Sequence, residues 1–167
     1  ELGIGQVRDA FSDLLFPGTS VLLTRARYFL IIPWCAQHAE STAHYHRSRR
    51  QTLDLVERKA LVALKNAAPG EPGIIGARAG TAVKNLPSVL YNQALERYGI
   101  ARPAVSSGAL DEEDLGEHVA REATGRWVSS LPAMPPGFPE TIEQGVRMSA
   151  DEAGWLLEQI TASCPDT

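Results

Sequence analysis

The sequence predicts a mainly α protein: a helical bundle of about five or six helices with a Pro-rich arm. Three observations predict it. Apolar residues recur at three- and four-residue spacing in several separate windows. Proline and glycine mostly punctuate those windows, as in 16–18, 67–73 and 129–140. Strand candidates are confined to three short stretches, 73–76, 126–130 and 144–148, and no internal repeat is visible.

Taken in order, Val7, Phe11, Leu14 and Leu15 give a first helix over 4–15, broken by Phe16-Pro17-Gly18. Thr19 or Ser20 can cap a second helix over 21–38. That helix is apolar nearly all round, which marks a buried element, and Pro33 should kink it or end it early. Arg25 falls among Val21, Leu22, Tyr28 and Phe29 on it, so its charge needs an acceptor. Asp9 and Asp13 on the first helix are the expected partners, in an ion pair that fixes the hairpin. Leu53, Val56, Ala60, Leu61 and Leu64 stripe a helix over 50–66. A Pro/Gly loop over 67–73 and a small, basic piece over 77–84 follow. Pro87 opens the next helix, Val89, Leu90, Ala94, Leu95 and Tyr98 form its core face, and Gly99 ends it. Acidic residues at 111–114 suit the start of a short helix over 115–123. The prolines of 129–140 read as an extended arm outside the core. Ser149 and Glu152 have capping-box spacing, with Trp155, Leu156, Leu157 and Ile160 as the apolar face beyond. The expected organisation is a helical core domain over 1–128, an arm or linker over 129–148 and a C-terminal helix over 149–167 that leads into a further region.

The chain of 167 residues, 44% hydrophobic, can bury a real core. Its longest apolar run, 28–36, is far short of a bilayer span, and no secretory signal pattern is present, so no membrane association is expected. Two widely spaced cysteines fit a reduced cytoplasmic protein, with one disulfide left open. Residues 1–66 hold nine Lys/Arg against six Asp/Glu, and residues 67–167 hold seven against fourteen. This asymmetry suits either two solvated surfaces of opposite sign or nucleic acid on the basic side.

Two constellations carry candidate chemistry. Cys35, His38, His44 and His46 place four potential zinc ligands within twelve residues, in a spacing that fits no established zinc class. The alternatives are a polar surface loop with a half-buried cysteine, or a zinc-binding or hydrolytic domain. Cys35 with His38 also has the form of a nucleophile and base, but no third group orients the base. The second constellation is basic: Arg47, Arg49 and Arg50, with Arg58 and Lys59 beyond. With Arg78, Lys84 and Arg97 they would form a phosphate-binding face. The helix after Ser88 permits a helix-turn-helix arrangement, with Asn92, Gln93, Glu96 and Arg97 as base readers. Neither a phosphate-loop nor a nucleophile-elbow motif occurs, and the glycines of GIIGARAG read as turn residues.

The run RDAFSDLLFPGTSVLLTRARYFLIIPW resembles the N-terminal signature of an uncharacterised bacterial family, a domain of unknown function. GIIGARAGTAVKNLPSVLYNQALERYGI, LPAMPPGFPET and MSADEAGWLLEQI resemble the same pattern in the same order. The resemblance implies that the chain is an N-terminal portion of a longer protein. It supplies no catalytic residues, and it implies DNA-associated work beside helicase-type and nuclease-type genes, anti-phage loci included. The expected function is therefore an accessory or adaptor module of a bacterial DNA-processing or anti-phage defence system, more a binder than an enzyme. It would act by contact with a protein partner and with DNA phosphates, and it needs no cofactor unless the Cys/His cluster holds zinc. A structural half-domain without independent activity is the remaining alternative.

Overall fold

The computed structural model describes residues 22–42, 48–103 and 126–165. Among these residues the chain forms four α-helices and a 3-10 turn, with no strand: α1 (Tyr28–Ser41), α2 (Arg49–Ala67), the turn Gly80–Ala82, α3 (Pro87–Arg97) and α4 (Ala150–Ser163). The helices expected at 4–15 and 115–123 lie outside the described residues.

Helix α1 is the core element. Ten of its fourteen residues are buried, on every side. It starts at Tyr28, seven residues later than the apolar pattern suggests, because tertiary bonds claim the backbone before it. The Tyr91 hydroxyl accepts from Arg25 N and donates to Arg25 O, both at 3.0 Å, and Thr24 Oγ1 donates to Gly73 O at 2.6 Å. Pro33 sits inside the helix without ending it, and the helix runs on to Ser41. An interior proline costs ~3 kcal/mol. Burying Leu30, Ile31, Ile32 and Trp34 around it offsets that, at roughly 1.5–3 kcal/mol per large side chain.

Helix α2 packs on α1 and begins with a reciprocal cap: Gln51 N donates to Ser48 Oγ at 3.2 Å, and Ser48 N donates to Gln51 Oε1 at 3.3 Å. Leu53, Val56, Ala60, Leu61 and Leu64 are buried as their spacing predicts. Helix α3 starts with Pro87 in its first turn, where no donor is needed, and packs on α1 through aromatic rings. Tyr91 meets Tyr28 and Phe29 with centroids 5.3 and 5.2 Å away, and Tyr98 meets Phe29 at 5.4 Å. The strand candidates are not strands. The 126–130 stretch contributes a single antiparallel bridge, Ala101 with Trp127, flanked by Arg102 N to Arg126 O at 2.7 Å and Val128 N to Ile100 O at 3.0 Å.

The proline-rich stretch is not a regular extended arm, having turns at 129–130 and 136–140, and it is packed down on α1 rather than free. Trp34 Nε1 donates to Pro132 O at 2.8 Å, and Phe138 lies edge-on to Trp34 at 5.9 Å. Phe138, Ile142 and Val146 belong to the core. The prolines exclude regular structure, but the apolar residues between them still gain from burial. The predicted capping box of α4 forms, with Ser149 N to Glu152 Oε2 at 2.8 Å and Glu152 N to Ser149 Oγ at 3.1 Å. The other Glu152 oxygen accepts from Arg27 at 3.1 Å, and Arg27 also donates to Gly145 O at 2.7 Å. One carboxylate thus starts α4 and ties it to the entrance of α1. Leu156 is buried, Trp155 and Ile160 are half-buried, and Leu157 faces solvent.

Candidate nucleic-acid interface

The predicted basic residues divide into three places. Arg49 and Arg50 are the first two residues of α2, and both are exposed. Arg49 lies beside Glu40, whose carboxyl is pushed up by burial and held back by that arginine. Arg78 and Lys84 flank the 3-10 turn, which packs against the middle of α2. Arg97 ends α3, about 15 Å along the helix from its start. Arg78 and Lys84 share the neighbourhood of the turn beside Arg58, whereas Arg49 and Arg50 lie about 12–14 Å back along α2 and Arg97 lies at the far end of α3. Arg47 lies outside the described residues.

Arg58 organises that neighbourhood. Its guanidinium grips Asp54 one turn back at 2.6 and 3.0 Å and donates to the carbonyls of Thr81 and Val83, the latter at 3.1 Å. The Asp54 bond raises the Arg58 pKa further, so its charge is permanent. A planar fork with five donors can serve a carboxylate and two carbonyls at once, which a lysine cannot. The turn is thereby pinned to α2. Arg78 and Lys84 on either side are exposed, and their side chains make no hydrogen bond or ion pair among the described residues. Lys59, one residue past Arg58, is engaged in an exposed pair with Glu140 at 3.0 Å.

Helix α3 does not have the surface of a recognition helix. Asn92 Oδ1 and Glu96 Oε1 accept from the buried Arg126 guanidinium at 2.6 and 2.9 Å. Two of the four expected base readers therefore hold the 126–128 segment in place. The N-terminal turn of α3, which would face base edges in a helix-turn-helix, is closed by a carboxylate. Glu57 of α2, 2% exposed, accepts from Ser88 N at 2.9 Å and from Ser88 Oγ at 2.8 Å. Burial pushes its pKa up to about 7, against the opposing pull of the two Ser88 bonds.

The other candidates resolve less. Cys35 is fully buried, and burial with Glu57 nearby holds its thiol well above the ordinary range, which disfavours the thiolate a nucleophile needs. The His38 ring is turned to Phe138 with centroids 6.4 Å apart. His44 and His46 lie outside the described residues, and among those described no three His, Cys, Asp or Glu side chains are grouped to hold a metal. Arg25 precedes α1 instead of lying on it. It pairs with Glu71 at 3.0 Å and donates twice to Pro72 O, at 2.8 and 2.6 Å, which latches the 71–75 loop. Asp9 and Asp13 lie outside the described residues.

Sequence reasoning missed the buried charges Arg27, Glu57 and Arg126. For Glu57 a signal existed: it falls between Leu53 and Leu61 at i+4 and i−4, in the middle of the apolar stripe. Arg27 and Arg126 find partners 125 and 30 residues away, Glu152 and Glu96, which no local pattern announces.

The fold and its surface thus define a small helical domain with a pinned, basic turn. The model of a family of unknown function, DUF6361, matches residues 1–165, so the chain belongs to that family. No curated protein and no solved structure matches the chain. No helix among the described residues is long and apolar enough to cross a membrane.

Proposed function

We propose that the chain is an accessory or adaptor module of a bacterial DNA-processing or anti-phage defence system, acting through protein contacts and DNA phosphates. The observation that carries the reading is the pinned turn. Arg58 fixes its two carbonyls, so Arg78 and Lys84 project from a backbone that needs no further ordering when a phosphate arrives. Arg50 lies on the same helix, two turns before Arg58. Leu55 and Val62, both exposed and seven residues apart on α2, offer apolar area for a protein partner. The burial of Cys35 weighs against the zinc-binding or hydrolytic alternative.

The test is fluorescence anisotropy on a labelled duplex at two salt concentrations. Binding that weakens steeply with salt is expected, and Arg78→Ala with Lys84→Ala should lower both affinity and salt dependence. Lys59→Ala, which removes a cation already paired with Glu140, is the control and should change neither. Absent or salt-independent binding would remove DNA from the reading.

A further inference from the structure

The α3 surface bears on what kind of nucleic-acid contact this face can make. Sequence is read by side chains at base edges, commonly from the first turns of a helix set in the major groove. On α3 that end is occupied. Pro87 is buried, Ser88 is bound through both its N–H and its hydroxyl to Glu57, and Val89 is exposed but offers no donor or acceptor. The Glu57 carboxyl also occupies the helix end where a phosphate would otherwise be welcome. Further along, Asn92 and Glu96 are committed to Arg126. The Arg78 and Lys84 side chains, by contrast, flank the short stretch AGTAV, with no aromatic ring between them to stack on a base.

We infer that this face contacts double-stranded nucleic acid through backbone phosphates alone and does not read base sequence, an inference that rests on the phosphate-contacting reading above. Arg78 and Lys84 neutralise about two phosphates, which sets a slope of about −2 in log affinity against log salt. Raising the salt fourfold then weakens binding roughly 10- to 15-fold on every duplex.

The experiment measures anisotropy of the purified chain with four labelled duplexes of about one and a half helical turns and unrelated sequence, A·T-rich to G·C-rich, at two salt concentrations. Dissociation constants that agree within about threefold, with one common slope, are the expected result. Arg78→Ala should reduce the slope by about one on all four duplexes, and Gln93→Ala on α3 should leave all four affinities unchanged. A preference of about tenfold or more for one duplex, or its loss in Gln93→Ala, would overturn the inference while leaving the phosphate face standing. No binding to any duplex at low salt would overturn the phosphate face and the inference together.

Discussion

Glu57→Gln tests the central electrostatic claim about this fold. The side chain is 2% exposed, and its pKa moves from an ordinary 4.5 to about 7. Its folded pKa is therefore raised, so the native state holds the proton more tightly than the unfolded chain. Stability from this group is full below pH 4.5 and is lost as pH rises toward 7. A shift of this size corresponds to about 3 kcal/mol, at ~1.4 kcal/mol per pH unit. Glutamine keeps a carbonyl to accept from Ser88 N and gains an amide to donate to Ser88 Oγ, but it cannot ionise. Urea unfolding followed by tryptophan fluorescence, for both proteins in half-unit steps between pH 4 and 8, gives the two stability curves. The difference between them should move in favour of the variant by about 3 kcal/mol across that range and level off above pH 7. Comparing differences cancels any pH-independent cost of the substitution. Parallel curves would refute the reasoning, because they would mean that the carboxylate ionises as freely in the folded protein as in the unfolded chain. Cys35 on α1, whose thiol feels the Glu57 charge, does not interfere, since burial holds that thiol well above the ordinary range.

Two further predictions concern stability. Gly73 has φ +82°, and a Cβ there would lie 2.9 Å from Arg25 Nε, whereas Gly70 has φ +78° and open space around it. Gly70→Ala should cost about 1 kcal/mol of conformational strain, and Gly73→Ala should cost more, roughly 2–3 kcal/mol, because it also displaces the Arg25 latch; thermal melts of the two variants decide. Trp34→Phe removes the donor to Pro132 O and leaves that carbonyl without its tryptophan partner. It should cost about 1–3 kcal/mol and speed proteolytic cleavage within 129–137 relative to the rest of the chain, read by mass spectrometry of limited digests.

The legible part of the fold is the part with local causes. Helix α3 follows from Pro87 and Gly99, helix α4 from Ser149 and Glu152, and the buried face of α2 from its apolar stripe. Each of these is settled within about one or two turns of chain. The rest depends on distant partners. The start of α1 is set by Tyr91 and Gly73, and the course of the proline segment by Trp34. The candidate site shows the same division. Exposed cations at 49, 50, 78, 84 and 97 can be counted from the sequence, but which of them share a neighbourhood follows from Arg58 reaching the 3-10 turn. The roles of Asn92 and Glu96 follow from Arg126, 34 and 30 residues away.

The Ala101–Trp127 bridge carries a consequence of its own. With Arg126 clasped to α3 and a backbone hydrogen bond on each side of the bridge, the end of α3 and the start of the proline-rich segment are stapled main chain to main chain. A strain applied to either one is therefore carried directly to the other, without passing through the side chains of α1.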